Sequence, residues 1–170
     1  ITRPNRGDTI NLARGLYAMN PSAIRTFPNA KGNPSFSLGD LAEANNLPIE
    51  LAHDALSDVR TTISLAKYIH DSDSEIWKQL ELAMNAKDTI KYINKNKAFS
   101  NVNFYFGKPY VYALSLVCED ADWNGYFHTI DLKFDPDSLL TATNEEFNKL
   151  IDKKKRWVIP NKNPLIFPAK

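Results

Sequence analysis

The sequence contains one cysteine, Cys118, in an apolar run. That excludes an intrachain disulfide framework and fits a reducing compartment. No apolar stretch reaches the length of a bilayer span, and no secretory signal pattern opens the chain. Neither sign of charge dominates: the net charge is +1 over 170 residues. Bulk electrostatics therefore neither demands nor forbids a nucleic-acid partner, and any phosphate-binding surface has to come from local clustering. The six glycines form no phosphate-cradling loop. No Ser/His/Asp or Cys/His constellation stands out, and there is no internal repeat or low-complexity tract. The opening Ile1-Thr2-Arg3-Pro4 lacks an initiator methionine and reads as a piece of something longer.

The apolar fraction of 43% is ordinary for a globular chain and sufficient for a core. Asp8 is the expected N-cap of a helix running to about Met19, which carries Ile10, Ala13, Leu16 and Tyr17 on one face and is ended by Pro21. Residues 20–36, with Pro21, Pro28, Pro34 and Gly32, have loop chemistry. Ser37 is expected to cap a short helix through Ala44. A long helix follows, to about His70, with Leu56, Val59, Ile63, Ala66 and Ile69 as its expected apolar face. Further helices are expected from Ser72 or Ser74 through Met84 and over Lys87 to Lys95.

After residue 97 the periodicity becomes strand-like. Val102–Phe106, Tyr110–Cys118, a half-buried strand with Tyr126, Ile130, Leu132 and Phe134 on its apolar side, Trp157–Ile159 and Leu165–Phe167 are the expected strands. Thr143 and Glu146 spell a capping box for one inserted helix. Strands this short and closely spaced suggest a small barrel of SH3-like size. The fold class expected is α+β, with a boundary near residue 97 between segments 1–97 and 98–170.

The stretch that could carry chemistry is His53-Asp54-Ala55-Leu56-Ser57-Asp58. Asp58 falls in the first turns of the long helix, where the helix dipole favours negative charge. If His53 were also helical it would point about 140° away from Asp58. The two serve one substrate only if His53 lies in the loop before the helix, with Asp54 as N-cap. A carboxylate and an imidazole at a helix mouth suit a metal ligand beside a general base. The alternative is a capped core helix.

This stretch resembles the third, H-x-x-x-x-D motif of the DnaQ-like 3′→5′ exonucleases. Pro34-Ser35-Phe36-Ser37-Leu38-Gly39-Asp40-Leu41 and Ala13-Arg14-Gly15-Leu16-Tyr17-Ala18-Met19-Asn20-Pro21 resemble helices of the exodeoxyribonuclease I branch of that family. Phe106-Gly107 and Asn163-Pro164-Leu165-Ile166-Phe167-Pro168-Ala169 are similar to its SH3-like domain. The resemblance implies the C-terminal helical part of a ribonuclease H-like exonuclease domain followed by an SH3-like β-barrel. It implies digestion of single-stranded DNA from the 3′ end in repair and recombination, with two Mg2+ ions, or Mn2+, in the complete enzyme. It also implies single-stranded DNA-binding protein as a partner, with a monomeric, cytoplasmic, non-membrane setting. His53 matches the general base and Asp58 the last metal ligand. The other three acids of that family are expected before residue 1, so the chain alone is expected to be inactive. Asn20 and Ser37 stand where basic residues are expected.

Lys153-Lys154-Lys155-Arg156-Trp157 is the strongest basic cluster. As a solvated helix end it needs no function. As a functional surface, Lys154, Lys155 and Arg156 contact a DNA backbone, with Tyr105, Tyr110, Tyr112 and Trp123 available to stack on bases. Phe36 is either core or a lining residue for the 3′ end. His128 is expected to be a core histidine, and Asp73-Ser74-Glu75 to be helix N-terminal charge. From a different class, the chain is a nucleic-acid- or protein-binding module with no complete nuclease site.

Overall fold

The structure is a computed structural model that describes residues 6–49, 55–123, 125–162 and 164–169. The Asp8 carboxylate accepts from the Ile10 N–H at 2.9 Å and starts α1 (Thr9–Met19). Leu12, Ala13 and Leu16 form its buried stripe. Gly15 lies on the same stripe because the packing leaves no room for a side chain. A Cβ there would run into Leu80 and stand 3.1 Å from Leu165 Cδ2.

Ser37 caps α2 (Leu38–Ala44) through a 3.2 Å bond from the Asp40 N–H. The chain leaves α2 through Asn46 in the left-handed region. α3 spans Ala55–Ser72, α4 Ser74–Ala83 and α5 Ala86–Lys95. The cap of α4 is Asp73, rather than Ser72 or Ser74. Its carboxylate accepts from the Ile76 N–H and from Asn20 Nδ2, both at 3.0 Å.

The buried face of α3 differs from the one its apolar residues predict. Ser57, Thr61, Leu65 and Ile69 face inward. Leu56, Val59 and Ile63 are 56%, 54% and 63% exposed. Thr61 tolerates the inner position because its Oγ1 donates to the Pro48 carbonyl at 3.4 Å. Of the predicted stripe, Ile69 is buried as expected and Ala66 half-buried, whereas Leu56, Val59 and Ile63 are uncovered among the described residues.

The run of five helices ends at Lys95, and an antiparallel sheet follows: β1 (Phe99–Tyr105), β2 (Lys108–Glu119), β3 (Phe127–Asp131), β4 (Lys155–Val158) and β5 (Leu165–Pro168), in the order β4-β3-β2-β1-β5. α6 (Asp137–Leu140) and α7 (Asn144–Lys154) connect β3 to β4. The Thr143–Glu146 capping box starts α7 as predicted. In β3 the inward residues are Phe127, Thr129 and Asp131, the opposite phase from the expected one. Thr129 Oγ1 donates to the Arg156 carbonyl at 3.0 Å, and Asp131 accepts from the Lys133 N–H at 3.0 Å, so neither polar group is stranded.

One side of the sheet packs on the helices, with Val102, Leu165 and Phe167 joining Leu16, Leu65, Ile69 and Leu80. The other side collects Phe99, Leu114, Phe127, Val158 and Ile166 under Ile93 of α5. No helix among the described residues is long and apolar enough to cross a membrane.

Candidate functional site

Asp58 stands exposed in the first turn of α3. Its peptide carbonyl accepts from Thr62 Oγ1 at 2.8 Å, which secures the helix just below the carboxylate. The exposed Leu56 and Val59 flank it in sequence. His53 and Asp54 lie outside the described residues. Among the described residues no three His, Cys, Asp or Glu side chains gather closely enough to hold a metal ion. Asp58 is thus an isolated exposed carboxylate among the described residues, with two oxygens of the kind that suits a divalent cation.

The basic cluster separates into different environments. Lys154 is only 5% exposed. Its ammonium bonds Ser138 Oγ and lies 5.5 Å from the Phe134 ring centre. Burial of the aliphatic stem with its head bonded makes it part of the fold, not of an open DNA surface. Lys155 does reach the surface, with Nζ 3.4 Å from Asp152 and 5.8 Å from the Trp157 ring centre. Arg156 lies over the Tyr112 ring at 4.8 Å, with a guanidinium nitrogen 3.8 Å from the buried Asp131 carboxylate. Tyr112, Asp131, Phe134 and Arg156 help to line an open cavity of about 570 Å³.

Beside these cations is an aromatic group that its sequence spacing does not reveal. Trp157 packs on His128 with ring centres 4.1 Å apart and on Tyr126 at 5.8 Å. Trp123, 63% exposed, meets Tyr126 at 5.6 Å. His128 is thus half-buried beneath an indole, and its Nε2 is 2.6 Å from Asp120 Oδ2. The Trp123 N–H, with help from the Asp122 N–H and His128, holds the Asp120 carboxyl below its ordinary range. The pairing of β3 with β4, which sets His128 opposite Trp157, creates this group.

Phe36 is core. It is 7% exposed and meets Tyr17 and Phe104 edge to face at 5.5 and 5.3 Å. The Arg14 guanidinium lies 5.6 Å from its centre. The ring's burial leaves no face for a nucleotide, which corrects its candidacy as a lining residue.

No family model matches the sequence. Exodeoxyribonuclease I of Buchnera aphidicola subsp. Schizaphis graminum is 30% identical over 98% of this chain and 36% of its own length. Among solved structures, E. coli exonuclease I in complex with a dT13 oligonucleotide superposes with a TM-score of 0.74 at 24% identity, over 96% of this chain and 39% of that one. An ExoI/SSB-Ct complex gives a TM-score of 0.74 at 22% identity, over 96% of this chain and 38% of that one. The chain spans a little over a third of the length of these proteins. Along nearly all of its own length, the chain is similar to one part of exodeoxyribonuclease I.

Proposed function

We propose that the chain is part of a 3′→5′ exonuclease that degrades single-stranded DNA. In this reading Asp58 supplies one ligand to a divalent metal, magnesium by preference, and His53 is the general base. Residues up to about 97 are the C-terminal part of a ribonuclease H-like exonuclease domain, and residues 98–170 an SH3-like domain. The observation that carries the reading is the solvent-facing Asp58 in the first turn of α3, in a fold that superposes on exonuclease I.

The uncovered Leu56–Val59–Ile63 stripe beside Asp58 supports it. A row of apolar residues at helical spacing needs a partner surface. Its occupant is the remainder of the exonuclease, since the chain spans only part of its relatives. Lys155, Arg156 and Trp157 supply a cation and ring surface for the strand. Single-stranded DNA-binding protein is the protein partner, by analogy with the SSB-Ct complex of ExoI.

The test is nucleotide release from single-stranded DNA by the full-length protein carrying this segment. His53→Ala should reduce turnover by about 10²–10⁴-fold. Asp58→Ala should reduce activity and metal dependence together. Digestion unchanged in both variants removes the proposed site. The cation–ring surface also suits a pure binding module, and full-length protein that binds DNA without cutting it would decide for that reading.

A further inference from the structure

The tip of the β1–β2 hairpin departs from the economical solution for its turn. Tyr105 pairs with Lys108, so the loop is only Phe106-Gly107. Both residues have positive φ, 53° and 80°, as a two-residue type I′ turn requires. Asn-Gly is the preferred pair there, because asparagine tolerates the left-handed region and a bulky ring does not. Phe106 instead occupies the strained position, and it is 89% exposed, the most exposed large apolar residue described. Neither backbone preference nor burial accounts for a phenyl ring at this place.

Opposite the tip is a tight loop. Asn29 Oδ1 accepts from the Lys31 and Asn33 N–H groups at 2.9 and 3.1 Å, and backbone bonds join Asn29 to Asn33 and Ser35 to Phe27. Gly107 approaches this loop so closely that a Cβ on it would stand 3.0 Å from Asn33 Cβ. Phe106, Asn29, Ala30, Lys31 and Asn33 together line an open groove of about 380 Å³. It presents the three features that an unpaired nucleotide is recognised by. They are an exposed ring face for a base, side-chain amides for a base edge, and an ammonium for the phosphate. The Lys31 ammonium and the Asn33 amide have no partner among the described residues.

We propose that the groove between the Phe106–Gly107 tip and the Asn29–Asn33 loop binds one unpaired nucleotide of a DNA strand, with the base stacked on Phe106 and the phosphate at Lys31. This site rests on the single-stranded DNA reading above, and its lining includes neither Asp58 nor Trp157.

The experiment is titration of the 170-residue chain with fluorescent oligothymidylate, together with thermal unfolding of each variant. Phe106→Asn replaces the strained ring by the residue the turn prefers. It should raise or preserve the unfolding temperature while weakening binding about tenfold. Phe106→Tyr should keep the affinity. Lys31→Ala should lessen the salt dependence of binding by about one phosphate contact, roughly 0.7 in the log–log slope. No binding by the wild-type chain, or unchanged affinity in Phe106→Asn, overturns the site. DNA digestion by the full-length protein, abolished by Asp58→Ala, is the separate readout for the exonuclease reading. Either result can fail without the other.

Discussion

Lys154 and Lys155 are neighbours in sequence, yet the first ammonium is buried on Ser138 while the second reaches the face of Trp157. Substitution should separate their roles. Lys154→Ala removes a buried hydrogen-bond donor and the ammonium's contact with the Phe134 ring, and should cost about 1–3 kcal/mol in chemical denaturation. Lys155→Ala should leave stability nearly unchanged and weaken oligonucleotide binding. Equal effects of the two on both measurements would show that the cluster acts as one charged patch.

The two faces of α3 should respond oppositely to alanine. Leu65→Ala or Ile69→Ala, each removing side-chain volume from a site 1% exposed, should destabilise by about 2–5 kcal/mol. Val59→Ala and Ile63→Ala in the isolated chain should stay within about 0.5 kcal/mol of wild type. In the full-length protein, where we expect the stripe to be covered, the same two substitutions should become costly. Comparing the two unfolding series tests the proposal that this face is covered in a longer protein.

Gly15→Ala sets a propensity gain of about 1 kcal/mol against overpacking on Leu80 and Leu165. Leu80 is 1% exposed and has no room to swing aside. We expect a net loss on the order of 1 kcal/mol, read as a lower unfolding midpoint. A rise in midpoint would mean that α1 can move off α4 and β5 without penalty.

Stability should fall in acid. The Trp123 N–H depresses the Asp120 pKa, the Ser35 and Ser37 hydroxyls that of Asp40, and the Thr143 N–H that of Glu146. A carboxyl whose pKa is lower in the folded state contributes its stabilisation above its ordinary pKa. It loses that contribution as pH falls through the folded value, because the unfolded chain takes up the proton first. Unfolding temperature should therefore decline below the ordinary carboxylate range. Asp120→Asn should flatten the decline; an identical slope in wild type and variant would exclude Asp120 as a contributor.

Local chemistry was readable in the sequence wherever one or two residues decide the outcome. Asp8 and Ser37 start their helices, and Thr143 with Glu146 closes a capping box, because these bonds span only two or three residues. Which side of an element faces inward was less legible. In α3 an apolar stripe and a buried stripe coexist, and the positions of α1, α2 and α4 decide which is covered among the described residues. In β3, Thr129 and Asp131 turn inward because Arg156 and Lys133 satisfy them, and those partners come from outside the strand. The aromatic group at Trp157 depends on a strand pairing between residues far apart in the chain, so spacing gives no hint of it. Asp58 was readable as a helix-mouth carboxylate. His53 lies outside the described residues, and the link between the two is still a proposal.

β5 carries a consequence for how the molecule comes apart. Its consecutive residues alternate between two cores, Leu165 and Phe167 toward the helices and Ile166 toward Phe99 and Val158. A strand of four residues thus rivets both layers through opposite faces. Detaching it exposes the two interiors at once, so neither layer can melt while the other stays dry. Heat should meet them as a single cooperative unit, and clipping the chain just before Leu165 should dissolve that unity.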